Sequence, residues 1–254
     1  MEITFTKAAI LFVVGLLVGF INVISGGGSL ISIPAMIFLG LPANIANASS
    51  RVGILFQNIV AVKVFNNKGF TNDAFTYRLS ISALAGSILG TFLAVKVDNG
   101  TFNIVLAIMM LVMFVLIMIN PKRFHRNESE NTTGFRKWIS IIAFFFIGIY
   151  GGFIQAGTAI LMMAVLNLAN NLNLIKVNYM KVFVVLGMNI LSLIIFQCKG
   201  IINWQFGMAM AIGTAIGGYY GTIFSIEKGE VWVRRITLAT IFAMAVKLLA
   251  GQFA

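Results

Sequence analysis

Ten stretches of this chain are continuously apolar, and most are long enough to cross a lipid bilayer, which leaves few folds open to it. The runs are 7–24, 28–41, 51–66, 76–96 and 101–119, then, after a polar stretch, 137–154, 157–170, 178–198, 204–224 and 231–249. A spanning helix needs about 17–25 residues, whereas a transmembrane strand needs about 10 with alternating faces. Unbroken runs of this length predict an all-α polytopic membrane protein and argue against a β-barrel. The runs 28–41 and 157–170, at 14 residues each, are too short to span comfortably, and each is the second of its five. They are expected to be short or re-entrant. Composition agrees: with 59% hydrophobic and 10% charged residues, there is too little polar surface for a water-facing globule, where about 25% charge is usual.

The two sets of five runs carry matching residues. At an offset of 133, Gly15, Gly19, Phe20, Ile21 and Asn22 correspond to Gly148, Gly152, Phe153, Ile154 and Gln155. At an offset of 131, Asn58, Lys68, Gly69, Gly86, Gly90 and Thr91 correspond to Asn189, Lys199, Gly200, Gly217, Gly221 and Thr222. Ordered matches with near-equal offsets indicate an internal duplication. The chain thus reads as a first repeat (1–119), a polar linker (120–136) and a second repeat (137–254), together forming one membrane domain. Five basic residues, Lys122, Arg123, Arg126, Arg136 and Lys137, lie in or at the edge of that linker. Placing it in the cytoplasm puts 13 of the 18 cations inside and 5 outside, the bias that Lys and Arg show in cytoplasmic loops. Each half then crosses an odd number of times, so the halves are inverted relative to one another and both termini face outward. The first run lacks an A-x-A cleavage pattern and is expected to be retained.

A formal net charge of +11 would suggest nucleic acid in a soluble protein. Here it reads as loop bias, because no basic stretch interleaves with aromatic residues. The seven acids, Glu2, Asp73, Asp98, Glu128, Glu130, Glu227 and Glu230, all lie in loops or at run ends, and His125, the one histidine, lies in the linker. No buried carboxylate or histidine relay is on offer, and no metal-ligand set, G-x-S-x-G or H-E-x-x-H motif. An enzyme is therefore not expected, nor is a cofactor or a metal. Cys198, the single cysteine, allows no intrachain disulfide.

What interrupts the apolar runs is neutral or cationic. Asn22, Ser25, Gly26, Gly27, Gly28 and Ser29 break the first run, and Gln155, Gly157 and Thr158 break its counterpart. Glycine breaks at corresponding positions of two halves point to the binding site of a secondary transporter. Helix N-termini starting near Gly28 and Gly157 would present free N–H groups with partial positive charge to an anion. The bland alternative is a tight turn between packed helices. Arg51 follows the uncharged stretch containing Asn47 and Ser50 and opens an apolar run, and Lys181 takes nearly the same place in the second half. One cation near each break suggests an anion cage, against the alternative that both snorkel to an interface. Asn58 and Asn189 lie one to two turns further in, lining a cavity or joining helices; Gln57 is a weaker case of the same kind. The pairs Gly15/Gly19, Gly86/Gly90 and Gly217/Gly221 have the spacing of close helix contacts.

The stretch GFINVISGGGSLISIPAMIFLGLPANIANASSR, with Pro34 and its Ala-Asn-x-Ser-x-Arg ending, resembles the first-half signature of the sulfite exporter TauE/SafE family. GGFIQAGTAILMM, followed by Asn178 to Lys181 and the glycines at 217–221, is similar to that family's second half. The resemblance covers about residues 8–249. It implies an inner-membrane permease of about eight spans in two related halves, several members being linked to sulfite, sulfonates or other organosulfur anions. The ten runs fit eight spans when the short ones are re-entrant or fused to a neighbour.

The expected function is alternating-access movement, in the export direction, of a small anion across the cytoplasmic (inner) membrane. Arg51 and Lys181 would supply charge, and the two breaks backbone and hydroxyl donors. The rival classes are a non-transporting membrane subunit or scaffold, which the short loops leave little surface to serve, an intramembrane enzyme, and a channel. The expected partners are the anion and the bilayer, without nucleic acid; a homo-oligomer stays open.

Overall fold

The computed structural model describes residues 3–119 and 130–227. Among them all regular structure is helical: α1 (Phe5–Ser25), α2 (Ser29–Phe38), α3 (Ala43–Asn67), α4 (Ala74–Lys96), α5 (Asn99–Ile119), α6 (Gly134–Phe153), α7 (Thr158–Asn170), α8 (Leu174–Cys198) and α9 (Trp204–Glu227). The tenth expected run, 231–249, and most of the linker, with Lys122, Arg123, His125, Arg126, Glu128, Lys228, Glu230, Arg234, Arg235 and Lys247, lie outside the described residues. Five helices, α1, α4, α6, α8 and α9, are long and apolar enough to cross a membrane. Their outward faces are apolar as well: Ile81, Phe146 and Ile212 are 67%, 62% and 59% exposed. Side chains of that kind, repeated around the bundle, face lipid.

The short runs become short helices. The 10 residues of α2 and the 13 of α7 reach about 15 Å and about 20 Å at 1.5 Å per residue, against a hydrocarbon core of about 30 Å. Neither can span. The break before α2 is made by Gly26, which ends α1 with φ +75° and donates its N–H to the Asn22 carbonyl. The chain then doubles back, and Gly28 lies on Val18 and Asn22 of the helix just left, where a Cβ would collide with both. The break before α7 turns on Gly157, at φ +79°, a conformation that a side chain disfavours.

Helix packing crosses between the two parts of the chain. α1 lies along α9, α4 along α6, α3 against α8 and α9, and α8 also against α4. The glycine pairs make close backbone approaches at these contacts: Gly15 and Gly19 meet the backbone of Met210 and Thr214, Gly86 and Gly90 that of Phe145 and Ile149, and Gly217 and Gly221 that of Leu16 and Phe20. They are packing devices, as small residues at membrane helix contacts are. Apolar packing fills the space around them. One cluster gathers Leu30, Met36, Phe102, Met110 and Phe206; another gathers Leu79, Phe144, Met162 and Val184.

The helix starts depart furthest from the apolar runs at two places. α3 begins at Ala43 rather than 51, and α8 at Leu174 rather than 178. Polar side chains in these first turns bond inside the protein. Ser50 Oγ donates to the Asn47 carbonyl at 3.0 Å, and Asn47 Nδ2 to the Phe153 carbonyl at 3.0 Å. At the loop ends, Asp73 caps α4 by accepting from the Thr76 N–H. Burial alone would raise the Asp73 carboxyl, but its bonds to Thr76 and the Lys176 charge hold it below its ordinary range.

Candidate functional site

The two breaks, 126 residues apart in sequence, meet in the interior. Ser29 Oγ at the start of α2 donates to the Gln155 carbonyl at 3.1 Å and accepts from the Gly157 N–H at 3.1 Å. Gly26 sits against Ala159 and Ile160 in the first turn of α7. Ser29, Gln155 and Thr158 are all nearly inaccessible to solvent. The start of one short helix is thus stitched to the start of the other, while most first-turn N–H groups bond to the carbonyls of Gly27, Gly28, Gln155 and Gly157 that precede them.

Both candidate cations are fully buried and point inward, which excludes snorkelling: Arg51 is 0% and Lys181 1% exposed. Because α3 and α8 start early, each cation sits about two turns inside its helix rather than at its opening. Neither therefore counts as a loop charge. Each also serves the opposite break from the one its position in the chain suggests. Arg51 of α3 donates through Nη2 to the carbonyls of Gly151 at 2.9 Å and Gly152 at 2.7 Å, the last turn of α6, and stacks over Phe196 at 5.1 Å. Lys181 of α8 donates to the carbonyls of Val23 at 2.7 Å and Asn22 at 3.3 Å, near the end of α1, and to Asn178 Oδ1 at 2.8 Å. Helix C-termini carry unpaired carbonyls and partial negative charge, so a cation is favourable at each.

The remaining candidates divide between joined and peripheral ones. Asn22 and Asn58 are linked through Gln57: Asn22 Nδ2 donates to Gln57 Oε1 at 3.1 Å, and Gln57 Nε2 to Asn58 Oδ1 at 3.2 Å. Gln155 Nε2 donates to Asn189 Oδ1 at 2.7 Å. Gly27 and Gly28 open α2, their carbonyls accepting from its first-turn N–H groups. Asn47 holds the carbonyl that ends α6. Ser25 and Ser50 bond within their own helices, so neither is brought to the meeting point by these bonds. The structure adds Thr91, whose hydroxyl lies 2.8 Å from Ser192 Oγ and 3.3 Å from the Gly152 carbonyl, and Asn178, which steadies Lys181 while donating to Ser225 at 2.8 Å. Thr91 matches Thr222 across the two halves, a signal that could have marked it.

One property sets this region apart from an ordinary packed core. Asn22 Oδ1, Asn47 Oδ1, Arg51 Nε, Asn58 Nδ2, Gln155 Oε1, Thr158 Oγ1 and Asn189 Nδ2 are buried and have no hydrogen-bond partner. Unpaired buried polar atoms are rare in folded proteins and each is costly. Seven such atoms lie on residues of the two breaks and of the helices packed against them.

An all-helical architecture of the described residues, with five helices able to cross a membrane and interrupted helices around an interior polar centre, defines a polytopic membrane protein. Comparison with known proteins identifies the group. The model of the family described as "Sulfite exporter TauE/SafE" matches residues 11–248. A Sinorhizobium protein named "Probable membrane transporter protein ORF9" is 25% identical, covering 98% of this chain and 95% of its own length. A Haemophilus influenzae protein named "Probable membrane transporter protein" is 27% identical over 99% of this chain and 98% of its own length. The Escherichia coli K12 protein named "Probable membrane transporter protein YfcA" is 27% identical over 94% of this chain and 88% of its own. No solved structure matches. The chain belongs to the sulfite exporter TauE/SafE family and is a membrane transporter of that type.

Proposed function

We propose that this transporter exports a small anion of the sulfur-oxyanion or organosulfur class across the cytoplasmic membrane. The anion is held where α2 and α7 begin. Alternating access then arises from two homologous, inverted halves rocking about that point, with residues 120–136 on the cytoplasmic side. The observation that carries the reading is the stitched meeting of two helix N-termini through Ser29, Gln155 and Gly157 amid unpaired polar atoms. Two buried cations nearby, Arg51 and Lys181, raise the local potential. The described acids, Asp73, Asp98, Glu130 and Glu227, stand outside the helices or at a helix end. The crossed packing of α1 on α9 and α6 on α4 supports the related halves.

With no acid among the described residues placed at the breaks to carry a proton, membrane potential is the proposed driving force. An inside-negative potential favours exit of a monoanion by about 2.3 kcal/mol per 100 mV, roughly fortyfold at equilibrium. Purified protein in liposomes, given a panel of sulfur and carboxylate anions under an imposed potential, is expected to move sulfur anions toward the positive side. Flux that ignores voltage removes the potential-driven version. A complete lack of flux across the panel leaves the scaffold reading standing instead.

A further inference from the structure

The unpaired atoms at the breaks carry information about the guest beyond its negative charge. They terminate two strings of carboxamides. In the first string, Asn22 donates to Gln57 and Gln57 to Asn58, leaving Asn22 Oδ1 and Asn58 Nδ2 without partners. In the second, Gln155 donates to Asn189, leaving Gln155 Oε1 and Asn189 Nδ2 without partners.

A carboxamide has a carbonyl oxygen on one arm and an NH2 on the other. Turning every amide of a string by half a turn reverses the string's direction, and the inventory stays the same. One end still offers a free carbonyl and the other a free N–H. Turning one amide alone sets oxygen against oxygen or nitrogen against nitrogen and breaks the string. Each string therefore presents one acceptor and one donor whichever way it runs. Thr158 Oγ1, also unpaired, adds a hydroxyl that serves either need.

A fully deprotonated oxyanion has acceptors only. It can meet the two N–H ends, but its oxygens would face the two carbonyl ends, which remain buried and unpaired. A ligand that bears an O–H or N–H beside its anionic oxygens meets both kinds of end. We infer that the transported anion carries a hydrogen-bond donor, as hydrogensulfite or a hydroxysulfonate does, and that the strings Asn22–Gln57–Asn58 and Gln155–Asn189 select for it. This rests on the anion-transport reading above.

The test is a pair of monoanions of equal charge that differ in the donor alone, ethanesulfonate and 2-hydroxyethanesulfonate, used as competitors of sulfite flux in proteoliposomes. The hydroxylated compound is expected to compete about tenfold more strongly or better, the cost of leaving buried carbonyls unpaired. In the double variant Gln155→Leu, Asn189→Leu sulfite flux is expected to fall, and the preference measured on the flux that remains is expected to shrink toward equality. Should this variant fail to fold, the comparison in the unaltered protein decides alone. Equal competition by the two sulfonates, or none by either while sulfite moves, overturns the inference and leaves the transport reading intact. Lack of sulfite flux in the unaltered protein overturns that reading itself, and the inference with it.

Discussion

Replacing Arg51 by Met is expected to stop transport and to lower the protein's stability by about 3 kcal/mol or more, read as a fall in the thermal midpoint in detergent and in the initial flux from liposomes. The guanidinium makes two charge-assisted bonds, to the carbonyls of Gly151 and Gly152, each worth about 1.5–3 kcal/mol. Met fills much of the same volume but leaves the Gly151 carbonyl buried and unpaired at the end of α6, and the Gly152 carbonyl with only the Thr91 hydroxyl at 3.3 Å. Burying a cation is itself costly, and replacing a whole buried polar group by apolar residues can be neutral. Here only one side of the interaction is removed, so the penalty stands. Arg51→Lys is expected to recover part of the loss, since an ammonium lacks the planar fork and its stacking on Phe196. Lys181→Met is expected to behave alike, because the Val23 carbonyl at the end of α1 loses its donor and the Asn22 carbonyl keeps only the Gly26 N–H. A variant of either residue with full stability and full flux would show that the helix ends do not depend on these cations.

Gly90→Leu is expected to have an effect at least as large, with loss of the folded transporter. Even a methyl group at this position meets the carbonyl of Ile149 and comes within 2.8 Å of the Phe153 N. Overpacking commonly costs about 1–3 kcal/mol because side chains can shift. The obstacle here is backbone of α6, so the two helices must separate along their length, carrying with them the break that follows Phe153. Gly187→Ala is the matched control. Its Cβ would meet only the Leu84 side chain, at 3.3 Å, and Ala gains up to about 1 kcal/mol of helix propensity over Gly. Gly187→Ala is therefore expected to be neutral or slightly stabilising in the same melting measurement. Equal losses at positions 90 and 187 would contradict the close-contact account.

The residues differ in how openly they announced their places. The short runs at 28–41 and 157–170 became α2 and α7 because apolar length is a direct reading of what can span. Helix starts were less legible. Asn and Ser compete with the backbone for hydrogen bonds and weaken isolated helices, so ANIANASS reads as a loop. In the folded protein Asn47 and Ser50 spend those bonds on Phe153 and on their own helix, and α3 starts there. The cations were found by type and position, but their partners were not. The carbonyls that Arg51 holds lie 100 and 101 residues away, and those that Lys181 holds 158 and 159. No local pattern encodes a contact to backbone at such a distance. Gln57 is inconspicuous in the sequence beside Asn58, although it is the middle amide that joins Asn22 to Asn58.

The account depends most on the two breaks forming one binding place. Single cysteines introduced as Ser29→Cys and, separately, as Thr158→Cys, each with the exposed Cys198 replaced by Ser, can be alkylated with and without an unreactive sulfonate. The expected result is slower alkylation at both positions, with the same half-saturating concentration of the anion. Protection at one position alone, or two different half-saturating concentrations, would contradict the account.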